Sequence, residues 1–264
     1  MPFIFIAMIV AAGGWFGWKL LFLGVLATLF ARNFAMGFNR YLDRDIDKAN
    51  PRTAGRPSVD GRVSVKAMMG FNIANALGFI ITAYFVNDLA FMLALPVLIV
   101  IGSYSYFKRF SAAAHLILGV SLGLAPLAGV VAVSEGVFVW TFALSVGVLF
   151  WVAGFDLLYS LQDMEFDKQN NLHSIPSRFG AANTLGFAAI FHIFTVISWA
   201  LFVQMAGLGM FATLAVLIAA VMLSYEHYLV RKDFTKIDRA FFTVNGYLGI
   251  IFLIFIIIDR IIYA

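Results

Sequence analysis

The chain has 264 residues, of which 62% are hydrophobic and only 12% are charged, and its formal net charge is +4. A water-soluble domain carries about 25% charged residues, so this composition excludes an ordinary soluble protein. The absence of cysteine excludes disulfides and thiolate metal sites. We therefore predict an all-α integral membrane protein with the lipid bilayer as its solvent, and infer neither nucleic acid nor an obligate protein partner.

Charge-poor runs predict a bundle of about nine transmembrane helices. A helix needs roughly 20 residues to cross the hydrocarbon core of a bilayer. The predicted spans lie near residues 2–14, 20–42, 64–86, 89–107, 112–133, 138–160, 181–206, 208–230 and 240–263. We treat residues 1–264 as a single domain. Because the chain opens directly into apolar residues with no basic segment before them, we expect the first helix to be incomplete at its N-terminus.

Basic residues alternate between the loops. Of the 18 lysines and arginines, 15 lie in the loops after spans 2, 4, 6 and 8 or at the helix ends beside them. Loops rich in lysine and arginine remain on the cytoplasmic side of a membrane. The even-numbered loops are therefore predicted to face the cytoplasm.

Two polar stripes end apolar spans on that side. The first, in NRYLDRDID, has the spacing i, i+4 and i+8 and consists of Asn39, Asp43 and Asp47. The second, in DLLYSLQDMEFD, has the spacing i, i+3, i+7 and i+11 and consists of Asp156, Tyr159, Asp163 and Asp167. On a continuing helix the residues of each stripe lie on one face, whereas Asp45 and Glu165 point away from that face. Because the stripes end spans 2 and 6, we predict two four-helix halves plus a ninth helix.

The paired stripes indicate a site for a hard cation. A single stripe is often only a solvated helix end. Two facing stripes offer several oxygen ligands, which Mg²⁺ prefers, and Mg²⁺ commonly takes further oxygen ligands from substrate phosphates. The surrounding arginines complement the remaining charge of a diphosphate. We therefore predict an Mg²⁺–diphosphate site at the cytoplasmic mouth of the bundle, with an apolar tail of the substrate among the helices.

The two aspartate-rich motifs resemble those of the UbiA superfamily of intramembrane prenyltransferases. YSYFKRF after span 4, GLAPLAGVVA in span 5 and the nine-helix layout extend the resemblance over nearly the whole chain. It implies transfer of a polyprenyl group from polyprenyl diphosphate to an aromatic acid, 4-hydroxybenzoate or a dihydroxynaphthoate, in ubiquinone or menaquinone biosynthesis. It also implies a bacterial inner-membrane protein with its active site facing the cytoplasm.

The resemblance implies a role for individual residues. The expected Mg²⁺ ligands are Asn39, Asp43, Asp47, Asp163 and Asp167. The expected diphosphate contacts are Arg52, Arg56, Lys108 and Arg109, and we add Tyr159 to them. Tyr104 is expected near the allylic carbon. The family pattern differs at Arg40, which follows Asn39, and at His173, which precedes Ser174.

Two deep ionisable residues have alternative interpretations. Asp156 either assists proton loss from the acceptor or pairs with a buried donor, since an ionisable group within a membrane helix is usually functional. Arg32 either holds the carboxylate of the aromatic acid or pairs with Asp156. The four histidines show no ligand spacing and are expected to serve packing or interfacial roles: His115, His173, His192 and His227. Glu226 and Asp233 are expected on the cytoplasmic surface of the loop after span 8.

Other functions share some of these features. Acidic residues in membrane helices also mark ion paths, which leaves a cation transporter as an alternative of a different class. Transporter sites usually lie near the middle of the membrane, whereas these carboxylates lie at one mouth. Within the superfamily, a haem or lipid-ether prenyltransferase would carry the same motifs.

Overall fold

The computed structural model describes residues 2–107 and 109–263, apart from the side chain of Arg239. The described residues form α-helices joined by turns, short 3₁₀ segments and one π-helical turn. The twelve α-helices are α1 Pro2–Ala12, α2 Trp18–Leu42, α3 Arg44–Ala49, α4 Val65–Val86, α5 Asp88–Phe107, α6 Ala114–Ser134, α7 Val139–Ser160, α8 Met164–Gln169, α9 Ile175–Met205, α10 Met210–Lys232, α11 Ile237–Arg239 and α12 Asn245–Ile262.

Eight helical segments of the described chain are long and apolar enough to cross a membrane, and α1 is a shorter apolar helix. These elements correspond to the nine predicted spans, so the all-α membrane fold is confirmed. The protein is an integral membrane protein. The short helices α3, α8 and α11 lie between the apolar ones and were not predicted as separate elements.

The boundary of α9 differs most from its predicted span, because the helix begins at Ile175 rather than near residue 181. Ser174 explains the earlier start. Its hydroxyl accepts a hydrogen bond from the backbone N–H of Ser177, and Ser177 returns one, which forms a capping box. Gly180 then interrupts the helix with φ +78°, a conformation that glycine adopts without steric cost. One capped turn therefore precedes the apolar part of α9.

The helices pack largely in chain order. α2 packs on α4 and α5, α6 packs between α5 and α7, and α7 packs most extensively on α9. α10 contacts α9 and α12. Helix α1 packs against both α6 and α12, and its residues Ile6, Ala7 and Met8 are fully buried. An apolar helix that is covered on most of its surface belongs to the interior of a bundle, so α1 lies between α6 and the last helix, α12.

Helices α6 and α7 approach each other closely at Gly119. A β-carbon at this position would lie 2.4 Å from the backbone oxygen of Leu149, so a larger residue does not fit without movement of the backbone. Close approach through small residues is the usual way in which membrane helices gain packing energy, because burial from lipid supplies little hydrophobic driving force. This contact fixes the distance between the two helices that supply one wall of the candidate site.

A buried polar chain joins α7, α10 and α12. Trp151 Nε1 donates to Asn245 Oδ1 at 2.8 Å, and Asn245 Nδ2 donates to Glu226 Oε1 at 2.7 Å. Glu226 is only 1% exposed, so the prediction that it lies on the cytoplasmic surface is wrong. Its face of α10 packs toward α12 instead. Asp233 does lie in the loop after α10, where its side chain accepts from the backbone N–H of Thr235.

Candidate active site

Each aspartate motif breaks its helix at the central aspartate. Helix α2 ends at Leu42, and Asp43 has φ −86° and ψ 10° before α3 begins. Helix α7 ends at Ser160, a 3₁₀ turn follows, and Asp163 has φ −100° and ψ 2° before α8 begins. These angles lie in the bridge region, which is sparsely populated and frequent at active sites. The expectation of continuous helices is therefore wrong in detail, although both breaks fall at equivalent positions.

The break leaves the first stripe in register. The backbone N–H of Asp43 still donates to Asn39 O at 2.9 Å, and that of Asp47 donates to Asp43 O at 2.7 Å. Asn39 Nδ2 donates to Asp43 Oδ2 at 2.8 Å and to Ser105 Oγ at 3.2 Å. The helical spacing therefore places Asn39 and Asp43 together, as predicted, and α5 adds Ser105 to the group.

Both motifs line one cavity of about 240 Å³. Seven of the predicted site residues lie in its wall, namely Asn39, Asp43, Tyr104, Asp156, Tyr159, Asp163 and Asp167. The sequence prediction missed further polar residues in this wall, including Ser105, His115, His173 and Ser174. A larger, shallow groove of about 430 Å³ lies along α10, but no carboxylate is among its described lining residues. The carboxylate-lined cavity is therefore the candidate active site.

The loop after the first motif binds the second motif. Asn50 Nδ2 donates to Asp163 Oδ1 at 2.9 Å, and Arg52 Nε donates to the same oxygen at 2.9 Å. Arg52 also pairs with Asp163 through Nη2 and Oδ2, and its Nη1 donates to Tyr159 OH at 3.3 Å. Burial acts to lower the pKa of Arg52, but the hydrogen bonds to Asp163 and its charge raise that pKa above the ordinary value. Arg52 is therefore charged at the cavity throughout the physiological pH range.

Asp47 lies in a different environment. Its carboxylate accepts from Arg56 Nη1 at 2.6 Å and lies 3.8 Å from Arg40 Nη1. It is 6% exposed, and it is not among the described lining residues of the cavity. The structure thus places Asp47 between two arginines, and its assignment as a metal ligand stays a prediction. Arg40, at the position where the family pattern differs, contributes to this cluster of charges.

The remaining predicted diphosphate contacts lie away from the cavity or outside the described residues. Arg109 donates to both carboxylate oxygens of Asp45, at 2.7 and 3.0 Å, and to the backbone oxygen of Leu42 at 2.6 Å. Arg109 therefore caps the end of α2 and is not among the described lining residues. The hydrogen bond from Arg109 lowers the pKa of Asp45. Lys108 lies outside the described residues.

The structure gives Asp156 a partner other than Arg32. The Asp156 carboxylate is 2.7 Å from His115 Nδ1, so its described partner is a histidine. Arg32 is exposed on α2 and is not among the described lining residues of the cavity. Its role in holding an aromatic carboxylate stays a prediction.

The histidines divide into two groups. His192 and His227 contact each other at 3.0 Å away from the cavity, in keeping with a packing role. His115 and His173 line the cavity instead, and their packing or interfacial role stays a prediction. The contact between His115 and Asp156 depends on how α6 meets α7, which residue spacing does not reveal.

A short sequence repeat identifies a residue of the site that the two polar stripes did not include. D-x-x-x-D-K-x-N occurs from Asp43 to Asn50 and again from Asp163 to Asn170. Each copy spans one helix break and one six-residue helix, α3 or α8. The repeat includes Asn50, which contacts Asp163 and which the stripes omitted.

The residues of the cavity fit a hard divalent cation by their chemistry. They offer carboxylate and amide oxygens on two breaks that face one space, and hard cations such as Mg²⁺ take oxygen ligands. Within the described residues, no three acidic or histidine side chains are already arranged as a formed metal site. The oxygen donors nevertheless match the predicted ligand type.

Comparison with known proteins decides the family. Residues 1–256 match the model of the UbiA prenyltransferase family. The chain belongs to the UbiA prenyltransferase family. It is 32% identical over 250 residues to a 4-hydroxybenzoate octaprenyltransferase of Burkholderia ambifaria, covering 92% of this chain and 83% of that protein. It is 29% identical over 247 residues to the protein of the same name from Herminiimonas arsenicoxydans, covering 92% and 85%.

Solved structures of UbiA homologues have the same fold. The homologue from Aeropyrum pernix K1 superposes with a TM-score of 0.89 at 29% identity, over 98% of this chain and 95% of that one. The homologue from Archaeoglobus fulgidus, solved with DMAPP and Mg²⁺, gives a TM-score of 0.72 at 20% identity, over 99% and 96%. This UbiA-family protein is therefore a membrane-embedded prenyltransferase, and the transporter alternative is not supported.

Proposed function

We propose that this protein transfers a polyprenyl group from a polyprenyl diphosphate to a hydroxylated aromatic acid and releases diphosphate. The observation that carries the proposal is the convergence of both aspartate motifs on one cavity, where Arg52 from the first loop binds Asp163 of the second motif. The names of the curated relatives support an aromatic acid as acceptor. We take that acid to be 4-hydroxybenzoate or a dihydroxynaphthoate, which serves ubiquinone or menaquinone biosynthesis.

We assign Mg²⁺ to the oxygen donors of this cavity. Asn39, Asp43, Asp163 and Asp167 would hold it, and Asp47 remains the fifth predicted ligand behind them. When bound, Mg²⁺ supplies stabilisation of the negative charge that develops on a departing diphosphate. The Archaeoglobus fulgidus homologue was solved with DMAPP and Mg²⁺, which supports our proposal of a prenyl diphosphate together with Mg²⁺ at this cavity.

The chain's own residues contribute binding and charge. Arg52 and Arg56 lie beside aspartates of the two motifs, so either guanidinium can turn from its carboxylate to a diphosphate oxygen. Fixed cations at the point where charge develops lower the barrier because they need no reorganisation during the reaction. Tyr104 and Tyr159 line the same cavity, and aromatic faces stabilise an allylic cation by cation–π attraction. The apolar helices below the cavity keep water from that cation.

The membrane orientation follows from the distribution of charge. The loops that carry the aspartate motifs belong to the even-numbered set that holds 15 of the 18 lysines and arginines, which favours the cytoplasmic side. We therefore place the active site at the cytoplasmic face of a bacterial inner membrane. Addition of a membrane-impermeant thiol reagent to inside-out and right-side-out vesicles, with a cysteine introduced at exposed Asp60, tests this orientation, because the native chain has no cysteine.

Purified protein in detergent tests the function directly. Labelled polyprenyl diphosphate is incubated with 4-hydroxybenzoate or a dihydroxynaphthoate, with Mg²⁺ or with excess chelator. We expect prenylated acid and released diphosphate only when Mg²⁺ is present. Transfer to haem or to a glycerol phosphate lipid, without transfer to either acid, would overturn the proposed acceptor. Turnover that persists in chelator would overturn the metal assignment.

A further inference from the structure

His115 and Asp156 form a polar pair in the wall of the cavity. His115 lies in the first turn of α6 and Asp156 lies about one turn from the end of α7, and their side chains meet at 2.7 Å between Nδ1 and Oδ2. In a contact between an ionised Asp156 and a neutral His115, the carboxylate accepts and Nδ1–H of the imidazole donates. The lone pair of that tautomer lies on Nε2.

The second ring nitrogen of His115 has no hydrogen-bond partner among the described residues. His115 is only 5% exposed, and among the described residues Nε2 is buried without a hydrogen-bond partner. A buried polar atom without a partner costs about 1–3 kcal/mol, and a ligand in the cavity that His115 lines could supply the partner that Nε2 lacks. Because Nε2 is an acceptor in this tautomer, the ligand group that completes it is a hydrogen-bond donor.

We propose that His115 Nε2 accepts the hydroxyl proton of the aromatic acceptor and that Asp156 positions and stabilises the imidazole. This inference rests on the proposed function, because both candidate acids carry an aromatic hydroxyl. The pair lies in the wall that also holds both aspartate motifs, so the hydroxyl and the diphosphate occupy the same cavity. A carboxylate–imidazole pair of this kind serves as the general base in many unrelated enzymes.

The step balances without any further reactant. As the hydroxyl proton moves to Nε2, the O–H bonding electrons form a carbonyl, and a ring carbon forms a bond to the allylic carbon of the donor. The electron pair of the allylic C–O bond leaves with the diphosphate. The ring carbon then gives its proton to that diphosphate, and the imidazolium returns its proton to the oxygen, which restores the aromatic hydroxyl.

Other titratable groups share the cavity and must be distinguished from His115. They are Asp43, Tyr104, Tyr159, Asp163, Asp167 and His173. None of them is changed in a variant at His115, so the difference between variant and wild type isolates the imidazole. His227, which lies away from this cavity and contacts His192, supplies a matched histidine for the control substitution.

The test measures prenyl transfer from pH 5 to 9 with Mg²⁺, a polyprenyl diphosphate and whichever acid the wild type uses. His115→Gln is expected to lower kcat at pH 7 about a hundredfold or more, the usual contribution of a general base, with KM for the diphosphate little changed. A variant that lacks the imidazole depends on acceptor molecules that have already ionised in solution. The ratio of the wild-type rate to the His115→Gln rate is therefore expected to shrink as the pH rises. His227→Gln is expected to keep the wild-type profile.

Asp156→Asn provides a second test that retains the imidazole. Loss of the carboxylate removes the group that orients the imidazole, so kcat is expected to fall while KM for the diphosphate is little changed. A His115→Gln enzyme whose deficit is the same at every pH, or whose kcat stays within about threefold of wild type, overturns the inference. If His115→Gln does not fold, an Asp156→Asn enzyme with unchanged kcat overturns it instead. A wild type that prenylates neither acid overturns the proposed function, whereas an active wild type with indifferent variants overturns only the role of His115.

Discussion

Asp163 is the residue on which the two aspartate motifs meet. It lines the cavity, accepts hydrogen bonds from Asn50 and Arg52, and lies at the break between α7 and α8. Its counterpart Asp43 lies at the break between α2 and α3 and accepts from Asn39. The helix breaks at these two positions direct both carboxylates into one cavity. A helix that continued unbroken into the lipid would not direct them there.

Replacement of either break aspartate should abolish turnover. Asp43→Asn or Asp163→Asn removes a charged oxygen donor from the proposed Mg²⁺ site, and loss of such electrostatic stabilisation costs about 10²–10³ in kcat. Diphosphate release from an allylic donor, measured at saturating Mg²⁺, checks this. Asp60→Asn is the matched control, since exposed Asp60 pairs only with Arg62 among the described contacts. Near-normal turnover in both cavity variants contradicts the metal assignment.

Asp45 should affect stability toward acid rather than catalysis. The hydrogen bond from Arg109 holds the pKa of Asp45 below its ordinary value. Because the folded pKa is the lower one, the stabilisation is complete above the unfolded pKa of about 4 and is lost as the pH falls through the folded value. The pair is exposed, so Asp45→Asn should lower the free energy of unfolding at pH 6 by no more than about 1 kcal/mol. Unfolding curves of variant and wild type should converge near pH 3, and turnover at pH 7 should be unchanged.

Helical spacing identified six residues of the cavity wall but not their partners. Asn39 and Asp43 share a helix face, and the i, i+4 rule is local enough to read from sequence. His115 and Asp156 are 41 positions apart, and Arg52 and Asp163 are 111 apart. These pairs depend on packing between helices, which no periodicity encodes.

At the scale of the elements, α6 and α7 form a closely packed pair that carries His115 and Asp156. The two helices touch at Gly119, one turn from His115, where the backbone of Leu149 leaves no room for a side chain. The hydrophobic spans predicted both helices because the thickness of the bilayer determines their length. Their closest contact was not predicted, since the chain holds 22 glycines and composition does not distinguish those at a helix crossing.

Gly119→Ala should separate α6 from α7. The added methyl group would lie 2.4 Å from the Leu149 oxygen, and such overpacking typically costs about 1–3 kcal/mol. We expect a lower unfolding midpoint in detergent together with a fall in prenyl transfer, because the distance from His115 to Asp156 changes. Gly186→Ala in α9 is the control, since its β-carbon meets nothing within 4 Å. Equal midpoints for the two variants would show that the helices have room to adjust.

For the whole molecule, composition predicted the class of fold. Buried polar contacts between helices then help to determine which helices pack together. Hydropathy predicted about nine spans, and the described residues contain eight segments long enough to cross a membrane together with the shorter apolar helix α1. Buried polar residues help to determine which helices pack against each other, because their hydrogen bonds join particular helix pairs. Asp259 of α12 is fully buried and accepts from the backbone N–H groups of Gly209 and Ala212 at the start of α10. Sequence reading assigned Glu226 to the surface because a lone carboxylate near a helix end usually lies there.

Asn245 should be the most sensitive point of this polar framework, since one side chain connects three helices. It accepts from Trp151 on α7 and donates to Glu226 on α10. Asn245→Ala leaves both partners buried without that bond, and each such group costs about 1–3 kcal/mol. Glu226→Gln keeps an oxygen that accepts from Asn245 at nearly the same volume, so its effect should be much smaller. Thermal unfolding of both variants in detergent checks the ranking, with prenyl transfer of Glu226→Gln expected to stay near wild type. An Asn245→Ala protein as stable as Glu226→Gln would mean that the three helices are held by apolar packing alone.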